Sequence, residues 1–124
     1  MSIEHTIQQY WETQIPAITR CYVGNINETP VEPYMTQKLV TKVDAGFGTT
    51  QLRLQLDIYT QDPDGYGTAK EIGESLTGAI RSLESGNIFA SYRANEIEDF
   101  ENIPDKYRLT IDAMIYYDDV SIFS

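Results

Sequence analysis

The sequence predicts an α+β fold: a mostly antiparallel sheet of about four to five strands, flanked by an N-terminal helix and a second helix that follows the central hairpin. Three observations predict it. Leu52, Leu54, Leu56 and Ile58 alternate with polar residues, and Leu109, Ile111, Ala113 and Ile115 do the same. Such period-two alternation marks half-buried strands of the kind antiparallel sheets use. Between these two runs, Tyr66, Ala69, Ile72, Leu76, Ala79, Ile80 and Leu83 form one apolar stripe at helical spacing. The 124 residues, 41% of them hydrophobic, suit a single domain over residues 1–124. A chain of this size buries about two-thirds of its unfolded surface around one core.

Taken in order, Ile3, Ile7, Tyr10, Trp11 and Ile15 recur at helical spacing, with Ser2 placed as an N-cap and Glu4 in the first turn, where the helix dipole favours a carboxylate. Pro16 lacks an amide proton and biases Ile15 away from helical angles, so this helix is expected to end or kink near Gln14. A short extended piece, residues 18–23, is closed by Gly24. Residues 25–33 hold two prolines and two asparagines without periodicity and are expected to be an exposed loop that connects without packing. Residues 34–43 are expected to form a strand, with Met35, Leu39, Val40 and Val43 apolar and Lys38 and Lys42 on the wetter side. Residues 44–50 contain Gly46 and Gly48 and are expected to be the loop of a hairpin with a mobile tip.

After the strand 52–59, residues 61–65 turn the chain and set Asp62 and Asp64 ahead of a helix N-terminus. Gly73 and Gly78 interrupt the apolar helix at about 1 kcal/mol each relative to alanine, and are expected to let it lie close against the sheet. Gly86 ends the segment. Residues 87–93 are expected to form a strand, and residues 94–105 a strongly acidic loop containing Glu96, Glu98, Asp99, Glu101 and Asp105. Residues 106–117 are the last strand, and the tail from Asp118 either frays or adds to a partner.

The chain holds 19 acidic and 9 basic residues, a formal charge of −10, which discourages binding to phosphate backbones and anionic lipid. DNA remains conceivable as a passenger through a channel lined with carboxylates. The sole cysteine, Cys21, excludes an intrachain disulfide and a thiolate cluster, and is expected to be a small buried hydrophobe. No basic segment followed by an apolar run opens the sequence, and no stretch approaches the roughly 18 apolar residues that span a bilayer.

No motif carries recognisable chemistry. Asp62, Asp64 and Gly65 echo the start of a calcium loop, but the twelfth place, which needs a bidentate glutamate, is Gly73; a turn and helix cap is the better reading. The single histidine, His5, sits in the first turn of an end helix, so nucleophilic catalysis lacks its base. Asp57 and Asp112, on the polar faces of the two best strands, form the one carboxylate pair suited to acid–base work. They are expected instead to face water or a neighbouring subunit. Gly46-Phe47-Gly48 lacks the lysine and the strand-to-helix context of a phosphate loop. Catalytic residues, cofactor and metal ligands are accordingly expected to be none. Nine tyrosines are the unusual compositional feature. Tyr59, Tyr92, Tyr107, Tyr116 and Tyr117 fall in or beside predicted strands, which suits a protein interface as well as an ordinary sheet surface.

The order and texture of the chain resemble the tail terminator or tail completion proteins, also labelled minor capsid proteins, of long-tailed bacteriophages. The resemblance runs through Arg20-Cys21-Tyr22-Val23-Gly24, Pro33-Tyr34-Met35-Thr36 and the strand Leu52-Arg53-Leu54-Gln55-Leu56-Asp57-Ile58-Tyr59. It continues in the helix Ala69-Lys70-Glu71-Ile72-Gly73-Glu74-Ser75-Leu76 and in Tyr107-Arg108-Leu109-Thr110-Ile111-Asp112-Ala113, with Tyr116-Tyr117 behind it. It covers nearly the whole chain; the acidic stretch before the last strand departs from it. The resemblance implies a non-enzymatic virion protein, assembled in the host bacterial cytoplasm, that forms a homo-hexameric ring at the head-proximal end of the tail. Its partners would be the tail tube protein and the head–tail connector or stopper protein, with DNA passing through unbound and no membrane involved. Candidate interface residues are then Gly46, Phe47 and Gly48 at the hairpin tip, Asn27 and Glu28 in the loop, and Tyr59 and Tyr116. Glu96, Glu98, Asp99 and Glu101 are candidates for an electronegative lumen or rim. Other readings are another head–tail joining component, a small α+β enzyme or ligand-binding domain using Asp57 and Asp112, or an acidic DNA mimic.

Overall fold

A computed structural model of the chain describes residues 3–24, 26, 28–61, 65–83, 88–99 and 106–118, with the side chains of all of these except 89, 90, 98, 99 and 106. The elements are α1 (Ile3–Gln14), β1 (Cys21–Val23), β2 (Tyr34–Gly46), β3 (Thr49–Gln61), α2 (Gly65–Ser82), β4 (Ile88–Asp99) and β5 (Lys106–Asp118). The strands form one five-stranded sheet in the order β1-β2-β3-β5-β4. β1 pairs parallel with β2, and every other neighbour is antiparallel.

The alternation seen in the sequence becomes the two faces of this sheet. Leu52, Leu54, Leu56 and Ile58 of β3 and Leu109, Ile111, Ala113 and Ile115 of β5 are all fully buried on one face, beneath Ile7 and Trp11 of α1 and Ala69, Ile72, Leu76 and Ile80 of α2. α1 ends at Gln14, as Pro16 dictates. It is seated by a buried polar link: the Trp11 indole Nε1–H donates to Gln37 Oε1 at 2.9 Å, and Gln37 Nε2 donates to the Glu4 carbonyl at 3.0 Å. α2 is held at its start by Thr60, whose hydroxyl donates to the Gly65 carbonyl at 2.6 Å.

Of the two glycines expected to bring α2 close to the sheet, only Gly73 does so; a Cβ there would lie 2.5 Å from Leu109 Cδ2. Gly78 faces open space, with nothing within 4 Å of such a Cβ, whereas a Cβ on Gly65 would run into the Tyr107 ring. Tyr66, counted in the apolar stripe, is half exposed instead, because it falls in the first turn, at the rim of the helix–sheet contact.

Several strand boundaries differ from expectation. β1 is only Cys21–Val23, and the chain before it is a turn stabilised by Ile18 N donating to the Ile15 carbonyl. β2 runs on to Gly46, so the hairpin loop shrinks to Phe47 and Gly48. β4 continues to Asp99, so Glu96, Glu98 and Asp99 belong to a strand, paired from Asn95↔Asp112 through Asp99↔Arg108, and not to an acidic loop. Backbone pairing with β5 decides this, whatever the strand propensity of the acids. Ser2, Asp62, Asp64, Gly86, Glu101, Asp105 and the tail beyond Asp118 lie outside the described residues, as does Asn27. Among the described residues no helix is long and apolar enough to cross a membrane.

Candidate assembly surfaces

The helices occupy one side of the sheet; among the described residues no helix covers the other. Counting by twos along the paired strands puts Tyr22, Thr36, Arg53, Gln55, Asp57, Tyr59, Thr110, Asp112 and Tyr116 on this second face. Asp57 and Asp112 stand here; of the two surroundings expected for them, water or a neighbouring subunit, water is not the one found, since each is 7% exposed. Arg53 Nη2 donates to Asp112 Oδ2 at 2.8 Å, Gln55 Nε2 donates to Asp57 Oδ2 at 3.1 Å, and the Thr110 hydroxyl donates to Asp57 Oδ1. Cross-strand neighbours thus bury and satisfy both carboxylates on a face that alternation alone marks as wet.

Aromatic stacking occupies the flanks of the same face. Tyr34 and Tyr59, directly opposite in the β2–β3 ladder, stack with centroids 4.8 Å apart, and Tyr22 meets Tyr34 edge-on at 5.9 Å. On the other side Tyr92 and Tyr116 stack at 6.5 Å, and Gln51 Nε2 donates to the Tyr116 hydroxyl at 3.1 Å. Hydrogen bonding with Tyr92, more than partial desolvation, pushes the Tyr116 phenol above its ordinary range. Tyr59 and Tyr116 are therefore members of stacks within the sheet surface.

The loop carrying Glu28 packs back on β1, contrary to the expectation that it only connects. Arg20 Nη1 donates to Glu28 Oε1 at 2.7 Å, and the Tyr22 hydroxyl donates to the same oxygen at 3.1 Å. Thr19 fixes the loop further, its amide on the Pro33 carbonyl at 2.7 Å and its hydroxyl on the Val31 carbonyl. The prolines and asparagines of this run signalled a loop; the partners that hold it lie in β1 and ahead of it. Cys21 is fully buried, as expected, and burial, then the Glu12 charge, pushes its thiol up to about 12.

The hairpin tip has the opposite character. Gly46, Phe47 and Gly48 take φ values of +89°, +55° and +78°. Two positive angles across a two-residue loop define a type I′ turn, which matches the twist of the strands it joins. Phe47 is nevertheless fully exposed, and so carries a large ring into water from a backbone conformation that disfavours it. Below the tip, Leu39, Val40 and Val43 are 40%, 42% and 46% exposed. The sequence suggested a buried side for these residues, but β1 flanks β2 only as far as Gln37 and no helix lies over the distal half. Ala45 is passed over in the register between Asp44 and Gly46, and Val40 between Leu39 and Thr41, so the free part of β2 carries two bulges.

Glu96 lies on the helix side of β4, in a groove of about 320 Å³ that it shares with Lys70, Glu74, Arg81 and Arg93. Arg93 approaches it at 3.7 Å. Its surroundings are thus mixed in charge. Among the described residues no group of three or more His, Cys, Asp or Glu is placed to hold a metal ion.

Among the described residues these features define a two-layer α+β domain with one open sheet face, two unpaired sheet edges and an apolar hairpin tip. No family model and no curated protein matches the chain. Among solved structures, a chain of the structure described as "Virion of native gene transfer agent (GTA) particle" has the same fold, with a TM-score of 0.65 at 13% sequence identity. The match covers 94% of this chain and 98% of that one, nearly end to end in both.

Proposed function

We propose that this chain is a structural subunit of a phage-type virion, a tail terminator that assembles as a homo-hexameric ring at the head-proximal end of the tail tube. The observation that carries the reading is the fold shared along almost the full length of a chain from a gene transfer agent virion. The surfaces agree with it. A fully exposed phenylalanine at a two-residue hairpin tip, above half-exposed Leu39, Val40 and Val43, is costly in a lone subunit and useful in an assembled one. The two aspartates best placed for acid–base work are engaged by Arg53, Gln55 and Thr110, which favours a structural role over a reactive pocket.

In this reading the hairpin tip and the loop around Glu28 meet axial partners, the tail tube protein on one side and the connector or stopper on the other. The net charge of −10 keeps a passing genome from binding. A ring ends polymerisation by matching the tube on one face and not on the other.

The test is addition of the purified chain to the polymerising tube protein of the same particle. Tubes shorten with increasing chain and carry a ring at one end in negative-stain micrographs. Tubes of unchanged length and bare ends would refute the terminator role.

A further inference from the structure

Among the described residues the five-stranded sheet ends in two unlike edges, and each is open. β1 covers β2 only from Met35 to Gln37, and Gly24, at φ +79°, turns the chain away after Val23. From Lys38 to Gly46 the outer backbone groups of β2 have no strand beside them among the described residues. Where β1 stops, a groove of about 510 Å³ opens along that edge, lined by Val23, Gly24, Gln37, Lys38 and Leu39 among others. The far edge is β4, paired only with β5.

We propose that the free edge of β2 pairs with β4 of a second copy of this chain, so that the sheet runs on from subunit to subunit. The inference rests on the ring reading and names the contact that closes the ring. Strand direction favours it. Each step from β2 to β3, β5 and β4 is antiparallel, so β4 runs opposite to β2. Rotation about a ring axis brings a neighbour's β4 beside β2 without reversing either strand, and the new pair is antiparallel.

Charge selects the occupant. The free stretch of β2 carries Lys38 and Lys42, and the second half of β4 carries Glu96, Glu98 and Asp99. Two β2 edges brought together would set lysines side by side, and a lysine-bearing, bulged edge is a recognised defence against such self-pairing. An acidic strand meets no such penalty. Apolar surface agrees: Leu39, Val40 and Val43 on one edge and Tyr92 and Ile97 on the other are each between 40% and 52% exposed in the subunit.

Cysteine cross-linking of the full chain tests the contact. Thr41 and Val43 of β2 and Asn95 and Ile97 of β4 all stand on the open sheet face, so the four double variants pairing T41C or V43C with N95C or I97C sample neighbouring registers on one side. Cys21 stays in place, buried in the core. Mild oxidation gives a ladder of disulfide-linked multimers from at least one double variant and none from the four single variants. Dimers from T41C or V43C alone would mean β2 pairs with β2, and overturn the proposal. Light scattering on the unmodified chain separates the two levels. Oligomers without a ladder in any double variant overturn the edge contact and leave the ring standing, whereas a monomer at high concentration with no ladder ends both.

Discussion

Phe47→Asn should stabilise the subunit and weaken its assembly, a combination that ordinary packing residues do not give. Phe47 is fully exposed, with φ at +55° between Gly46 and Gly48. The left-handed conformation costs a residue with a Cβ roughly 1–2 kcal/mol, and Asn followed by Gly is the favoured pair in a type I′ hairpin turn. The substitution therefore recovers about 1 kcal/mol in the isolated subunit, having no buried contacts to lose. For a chain of 124 residues the unfolding entropy is about 0.26 kcal/mol per kelvin, so the midpoint rises by about 4 °C. If the proposed assembly covers the Phe47 side chain with a neighbour or an axial partner, its loss costs about 2 kcal/mol, roughly thirtyfold in that association constant. Urea denaturation at dilute concentration reads the first effect, and concentration-dependent light scattering with a tube-capping titration reads the second. A variant that is less stable than the parent, and assembles and caps as well, would refute the reasoning on both counts.

The glycines of α2 separate by surroundings: Gly78→Ala, with nothing near the added methyl, gains about 1 kcal/mol of helix propensity in a denaturation midpoint. Gly73→Ala loses about 1 kcal/mol or more despite the same propensity gain, because fully buried Leu109 must move from 2.5 Å. Trp11→Phe leaves the buried Gln37 oxygen without its 2.9 Å donor and costs about 1–3 kcal/mol by the same assay, beyond the lost ring area. Cys21, its thiol raised from 9.0 to about 12 by burial and the Glu12 charge, stays protonated when folded while the unfolded thiol ionises. Stability is then full below pH 9 and falls at up to about 1.4 kcal/mol per pH unit between the two values. Alkylation of Cys21 at pH 8 should track global unfolding, and rapid labelling of the folded chain would contradict its burial.

The elements with strong periodicity were legible. The four alternating apolar residues of β3 and of β5, the stripe of α2 from Ala69 onward and the stop of α1 before Pro16 all arise from local patterns that burial then uses without change. What was not legible depends on which strands lie side by side. Glu96 looks like loop by composition and is strand because β5 supplies its partners. Leu39, Val40 and Val43 look like core and are half exposed because β1 is only three residues long. Asp57 and Asp112 look wet and are buried by residues more than fifty positions away in sequence, as Arg53 and Thr110 show. The Trp11–Gln37 link gave no signal, since a polar residue at a core-facing strand position is recognisable only once α1 is placed over it. Of the candidate contact residues, the structure presents Phe47 as a protrusion and ties Glu28, Tyr59 and Tyr116 into local contacts.

The mass of the assembled species bears on all of this most directly. Light scattering across a concentration series, with negative-stain micrographs of the top fraction, should give a closed species near six times the 14.1 kDa subunit, annular and with an open centre. A single 14.1 kDa species at every concentration, unchanged when tube protein is added, would contradict the claim that this chain works by joining its own edges.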